Sequence, residues 1–122
     1  MRSRIILLIA AFGLAACSDS IPGAGTLVAT VVSPNVNEGA AIVSVTGPGI
    51  TGVSAASGGQ VFSQAQGDGV RVVVLAEPAA VLSFLLQVDD TTADFTGQVL
   101  EVAGPTDVLR NSLVNYEVEI RR

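Results

Sequence analysis

Ala80-Val81-Leu82-Ser83-Phe84-Leu85-Leu86-Gln87-Val88 is the most apolar run after residue 17, and its reading decides the fold. At helical spacing Val81, Leu82, Leu85 and Leu86 share a stripe, so periodicity alone leaves a helix open. At strand spacing Leu82, Phe84, Leu86 and Val88 line one face, and Val81, Ser83, Leu85 and Gln87 line the other. A run of this length bounded by Pro78 and Asp89 suits a central sandwich strand better than a buried helix. The spacing predicts a strand over residues 80–88.

Working outward, valine dominates and turn residues recur roughly every 8–12 positions, the text of an all-β domain. Residues 27–32 form a predicted strand, ended by Ser33-Pro34-Asn35-Val36-Asn37-Glu38-Gly39. Residues 40–46 form a second, and Gly47-Pro48-Gly49 turns the chain. A weaker strand over 50–55 ends at Ser57-Gly58-Gly59. Residues 60–64 and 70–75 read as a hairpin closed around Gly67-Asp68-Gly69, because Asp-Gly supplies the positive φ of a tight turn. Glu77-Pro78 breaks the chain before residue 80.

Beyond the apolar run, residues 89–96 read as an acidic loop and 98–102 as a strand stopped by Gly104-Pro105. Residues 106–113 are assigned one helical turn, capped by Thr106 or Asp107. Residues 114–121 have the clearest period of two: Val114, Tyr116, Val118 and Ile120 inward, Asn115, Glu117, Glu119 and Arg121 outward. The sum is an antiparallel β-sandwich, jelly-roll or immunoglobulin-like, of seven to eight short strands in one domain over residues 26–122.

Charge removes several functions. The 122-residue chain is formally −5 and has no lysine. Four arginines, Arg71, Arg110, Arg121 and Arg122, face eleven acids once Arg2 and Arg4 are set aside with the N-terminal segment. No cationic surface for nucleic acid can be built from that set, nor one for electrostatic docking on anionic lipid.

The N-terminus explains how such a chain would reach a membrane. Met1-Arg2-Ser3-Arg4 is basic, residues 5–16 are apolar, and Leu14-Ala15-Ala16-Cys17 closes the run with the single cysteine of the chain. Twelve apolar residues are too few to span a bilayer, which takes about 20. An ordinary secretory signal needs no cysteine at that point. The segment resembles the signal of bacterial lipoproteins. That resemblance implies a signal-peptide helix over residues 1–16, cleavage between Ala16 and Cys17 by lipoprotein-processing enzymes, and diacylglyceryl and N-acyl lipid on Cys17. Each buried methylene adds roughly 0.8 kcal/mol, so two or three acyl chains hold a protein far more firmly than one. Residues 17–25, with Ser18-Asp19-Ser20-Ile21-Pro22-Gly23-Ala24-Gly25 after the cysteine, then read as a flexible tether. By resemblance to the sorting rule of enteric bacteria, Ser18 at the second position favours the outer membrane, on its periplasmic or surface face.

Catalytic chemistry is thinly supplied. The chain has no histidine, so acid–base work near neutral pH and most zinc sites lose their usual residue. Its serines lack a histidine or lysine base. Gly67-Asp68-Gly69 and Gly47-Pro48-Gly49 read as turns, because no lysine follows and no helix opens after them. The one candidate ligand cluster is Asp89, Asp90 and Asp94, three carboxylates within six residues. They offer oxygens of the kind calcium accepts, without the spacing of an EF-hand. The same acids would also keep the preceding strand from aggregating. Phe62, Phe84, Phe95 and Tyr116 are assigned to the core, leaving little aromatic platform for sugars.

One further resemblance enters on residues 70–90, a valine-rich strand, a proline-containing turn, then Leu82-Ser83-Phe84-Leu85-Leu86-Gln87-Val88-Asp89. This phrase is similar to the middle of cohesin-type domains, jelly-roll sandwiches related to carbohydrate-binding modules. The wider pattern, including Ser33-Pro34-Asn35, Glu38-Gly39-Ala40, Thr46-Gly47-Pro48-Gly49-Ile50 and Val102-Ala103-Gly104, resembles small envelope lipoproteins. The resulting expectation is a non-enzymatic, lipid-anchored envelope protein without a bound cofactor, acting on an envelope protein partner or as a structural accessory. The alternative is a cohesin-like module for carbohydrate or calcium.

Overall fold

The computed structural model describes residues 23–56 and 58–122. The expected signal-peptide helix, over residues 1–16, lies outside the described residues. Eight strands follow one another: β1 (Gly25–Val32), β2 (Glu38–Thr46), β3 (Ile50–Ala55), β4 (Gly59–Gln66), β5 (Gly69–Ala80), β6 (Ser83–Val88), β7 (Thr96–Ala103) and β8 (Glu117–Arg121). Among the described residues there is no helix. The ambiguous run 80–88 is not helical, but it is not one strand either: Ala80 ends β5, Val81 and Leu82 connect, and β6 begins at Ser83, with the alternation its side chains predict. Leu82, Phe84, Leu86 and Val88 are all buried.

The strands form two four-stranded antiparallel sheets, ordered β3-β6-β1-β8 and β4-β5-β2-β7. Strand pairing follows a simple rule: β1 with β8, β2 with β7, β3 with β6, β4 with β5. Those four pairings make one long hairpin folded over on itself into a β-sandwich. Two further pairings, β1 with β6 and β2 with β5, join the ribbon into sheets. The four central strands, β1, β2, β5 and β6, supply the core between the sheets; only Leu82, just before β6, and Val102 of β7 join it from elsewhere.

The β4–β5 hairpin turns on Gly67-Asp68, with Gln66 opposite Gly69. Gly67 carries φ +55°, and Asp68 is not left-handed. The positive φ therefore falls on the first central residue, as in a type II′ turn, and not on the Asp-Gly pair. Glu77-Pro78 does not end the strand. It lies where the register jumps, from Leu75 opposite Ala40 to Ala80 opposite Glu38. Proline lacks a ladder donor and is tolerated at such an irregularity.

Four expectations are corrected. Gly25 belongs to β1, opposite Val88, and not to a tether. Residues 106–113 hold no helical turn. Asp107 adopts φ 65°, and Gly104 and Arg110 donate backbone bonds to Val108 and Val102 at 2.9 and 2.8 Å. The segment thus folds back along β7, with a bridge between Ala103 and Leu109. Val114 is 70% exposed, because Asn115 at φ 71° turns the chain and β8 begins only at Glu117. Tyr116, Val118 and Ile120 do pack on the core, but Phe62 is 61% exposed.

The two sheets approach closely where β8 meets β7. A Cβ on Gly97 would lie 2.5 Å from the Val118 side chain. Gly97→Ala should therefore destabilise the domain by about 1–3 kcal/mol, the usual range for overpacking. Adding Val118→Gly should restore part of the loss in urea titrations, since it removes both the methyls and the Cβ, which would lie 2.5 and 2.6 Å away. Additive losses in the double variant would show that the clash is not the cause.

Candidate functional site

The most developed polar constellation centres on Glu38, the first residue of β2 and 1% exposed. Three chain segments deliver its partners. The β1–β2 turn supplies Ser33 and Asn35, the arm after β7 supplies Arg110, and the approach to β8 supplies Tyr116. Arg110 grips Oε1 with two donors, Nε at 3.0 Å and Nη2 at 2.8 Å. Oε2 accepts from Ser33 Oγ at 2.6 Å and from the Tyr116 hydroxyl at 2.5 Å. Asn35 Nδ2 donates to the Tyr116 hydroxyl at 3.0 Å and, at longer range, to the same carboxylate.

Local chemistry fixes the geometry. The Asn35 backbone N–H donates to Ser33 Oγ at 2.9 Å, closing a side-chain turn that brings both residues under Glu38. Val36 takes φ 70° to complete that turn. On the far side, the Arg110 N–H bonds the Val102 carbonyl and so anchors the arm to β7. The guanidinium rests against Gly104, where a Cβ would lie 2.9 Å from Cζ. Gly104 thereby leaves the approach to Glu38 open.

Burial pushes the Glu38 carboxyl upward. Hydrogen bonds from Ser33, Tyr116 and Arg110, with the guanidinium charge, overcome that push and hold the carboxyl below its ordinary value of 4.5. Its bond to Glu38, outweighing a smaller loss of solvation, raises Arg110 above its already high value. The carboxylate is ionised and both oxygens are engaged by donors. A general base needs a free lone pair for a substrate proton, and this geometry offers none. What the arrangement does is clamp: it fastens the β1–β2 turn to the segment between β7 and β8.

No motif or period in the chain announces this cluster. Glu38 stood inside a turn, and Arg110 and Tyr116 lie 72 and 78 residues away along the chain. The only local hint was the spacing of Ser33, Asn35 and Glu38.

The residues singled out from the sequence are differently placed. Leu14, Ala15, Ala16 and Cys17, the lipobox and cleavage site, lie outside the described residues. Asp89, Asp90 and Asp94 all fall in the β6–β7 loop, but among the described residues no three acidic, histidine or cysteine side chains converge on one point. Asp90 Oδ1 accepts from the Thr92 hydroxyl at 2.6 Å and from its N–H at 2.8 Å, which lowers the Asp90 carboxyl. Asp89 lies against Gly49. Its N–H donates to the Gly49 carbonyl at 2.8 Å, tying this loop to the β2–β3 turn. No protein-family model, curated protein or solved structure matches the chain.

Proposed function

We propose that this chain is a lipid-anchored β-sandwich protein of the bacterial cell envelope, acting through protein–protein contact or as a structural accessory rather than as an enzyme. One observation carries the reading: Leu14-Ala15-Ala16-Cys17 closes a basic-then-apolar N-terminus and holds the only cysteine. The all-β domain of residues 26–122 is the cargo, held on the outer membrane by acyl chains on Cys17. Two features support a non-enzymatic role. The composition lacks the common acid–base side chains histidine and lysine, and Glu38, the one buried carboxylate among the described residues, spends its oxygens on internal donors.

The test is membrane fractionation of the wild type beside Cys17→Ser, with intact-mass analysis of the mature wild-type protein. Wild type should pellet with membranes, dissolve only in detergent and carry diacylglyceryl and acyl mass on an N-terminal cysteine. Cys17→Ser should lose that mass and the membrane-bound mature form. A mature wild type with a free, unmodified amino end would overturn the anchor. Crosslinking in the native envelope should recover a defined protein partner; an unlinked protein would count against the contact role.

A further inference from the structure

We propose that β4 is a self-association edge, and that a second copy of this chain adds its own β4 in antiparallel register. A sandwich of two four-stranded sheets has four edge strands, here β3, β8, β4 and β7. Free edges invite pairing with other chains, and proteins blunt them with charges, proline, bulges or cover. Three of these edges are blunted. β8 carries Glu117, Glu119 and Arg121. β3 follows Pro48 and has a register break between Ile50 and Gly52. β7 has its own break opposite Ile42 and Val43, carries Glu101, and is covered by the Leu109 bridge at one end and by Val118 over Gly97.

β4 has none of these devices. Gly59-Gln60-Val61-Phe62-Ser63-Gln64-Ala65-Gln66 contains no charge and no proline. Its pairing with β5 runs unbroken from Gly59 to Gln66. Among the described residues, no backbone bond leaves β4 in any other direction. A strand is the occupant that matches a row of unpaired backbone donors and acceptors.

The second copy is the occupant these observations favour. The chain is acidic, so two copies repel, yet β4 is neutral and Arg71 is the only charged residue opposite it on β5. Val61 packs on the core, so Phe62 points outward, 61% exposed at the middle of the strand. A two-fold axis through Phe62 sets Phe62 opposite its own copy, Val61 opposite Ser63 and Gln60 opposite Gln64. Every off-axis contact is then made twice, once from each copy, as an isologous interface requires. Phe62 also continues a cross-strand row with Val73 and Ile42, so the joined sheets share one apolar outer strip. The proposal deepens the protein-contact reading above by naming a partner, and it stands independently of the anchor at Cys17.

The test uses the full chain in detergent, with micelles in large excess over protein. Sedimentation equilibrium should give a dimer, and Phe62→Lys should weaken association at least about tenfold, because two like charges would then face each other across the axis. Gln64→Lys, on the same exposed face, should weaken it too, guarding against a folding defect peculiar to position 62. Under mild oxidation Phe62→Cys should give a linked dimer beyond the Cys17 background of wild type. Opposed Cα atoms in an antiparallel pair lie about 4.5–5.5 Å apart, within disulfide reach. Glu119→Cys on β8 should not. A wild type monomeric at millimolar concentration overturns the proposal, as does a dimer indifferent to both lysines. Either result leaves the Cys17 fractionation untouched, so the two readings fail separately.

Discussion

Phe84→Ala should reduce the stability of the folded domain by about 3–5 kcal/mol, measured by chemical denaturation. Phe84 has no exposed surface, and it is among the largest side chains in the core. Its neighbours along the hydrogen-bonding direction explain why the upper part of the range is expected. Across β1 the opposite residue is Ala29, itself fully buried, and across β3 it is Ala55. The ring therefore fills the interior space beside Ala29, while Ala55 on the other side is exposed. Neither methyl can swing into the void when the ring is removed, so the cavity persists and its cost is added to the lost transfer energy. For a domain of roughly 100 residues each kcal/mol moves the melting temperature about 4–8 °C, so the shift should be unmistakable. Val114→Ala is the internal control. At 70% exposure it should change stability by no more than about 0.5 kcal/mol. A Phe84→Ala loss as small as that of Val114→Ala would mean that the 80–88 run is not at the centre of the sandwich.

That run also shows what was legible in the chain and why. Strand alternation is a local signal with a period of two, and a half-buried or central strand writes it directly into sequence. The strands expected over 80–88 and 114–121 are legible on that basis, each starting three residues too early against β6 and β8. Turn positions were readable wherever glycine and proline cluster, as at Gly47-Pro48-Gly49. Local chemistry does not say which strand is a neighbour of which, and there the reading stopped at two alternatives. The sheet order rests on β1–β8 and β2–β7, pairings between opposite ends of the chain.

The misread positions share one cause. Val114 and Phe62 were assigned inward because they are apolar. Yet Val114 precedes a left-handed Asn115 that breaks the alternation, and Phe62 sits on an edge strand whose outer face nothing in its own sheet covers. Apolar identity predicts burial only when the backbone phase and the place in the sheet agree with it. The Glu38 cluster was illegible for a related reason. Its value depends on Arg110 and Tyr116 arriving from the far end of the ribbon, and no period or spacing encodes that meeting.

The cluster carries the second large effect. Glu38→Ala should destabilise the domain by about 2–4 kcal/mol, because it removes the common acceptor of four close hydrogen bonds worth about 1 kcal/mol each. Arg110 keeps 31% of its side chain in water, so the freed guanidinium can be resolvated, and the loss falls short of that for a wholly buried pair. The pH dependence separates the charge from the shape. Glu38 is held below its ordinary value of 4.5, so the folded state binds its proton less readily than the unfolded chain does. Its contribution is then fully present above that value and is lost as the pH falls through the lower, folded one. Glu38→Gln keeps the outline but cannot titrate. Its stability at neutral pH should fall, and the acid limb of its stability curve should be shallower than that of the wild type. Asp90, also lowered, leaves a residual slope in both proteins. Identical acid limbs for wild type and Glu38→Gln would show that the ionised carboxylate does not hold the ends of the ribbon together. The β1–β2 turn and the segment before β8 would then be held by the β1–β8 ladder alone. The β1–β8 ladder stops at Val32 opposite Glu117, next to Ser33 and Tyr116, so a buried charge, costly almost anywhere else in so apolar a core, has a structural use where that ladder ends.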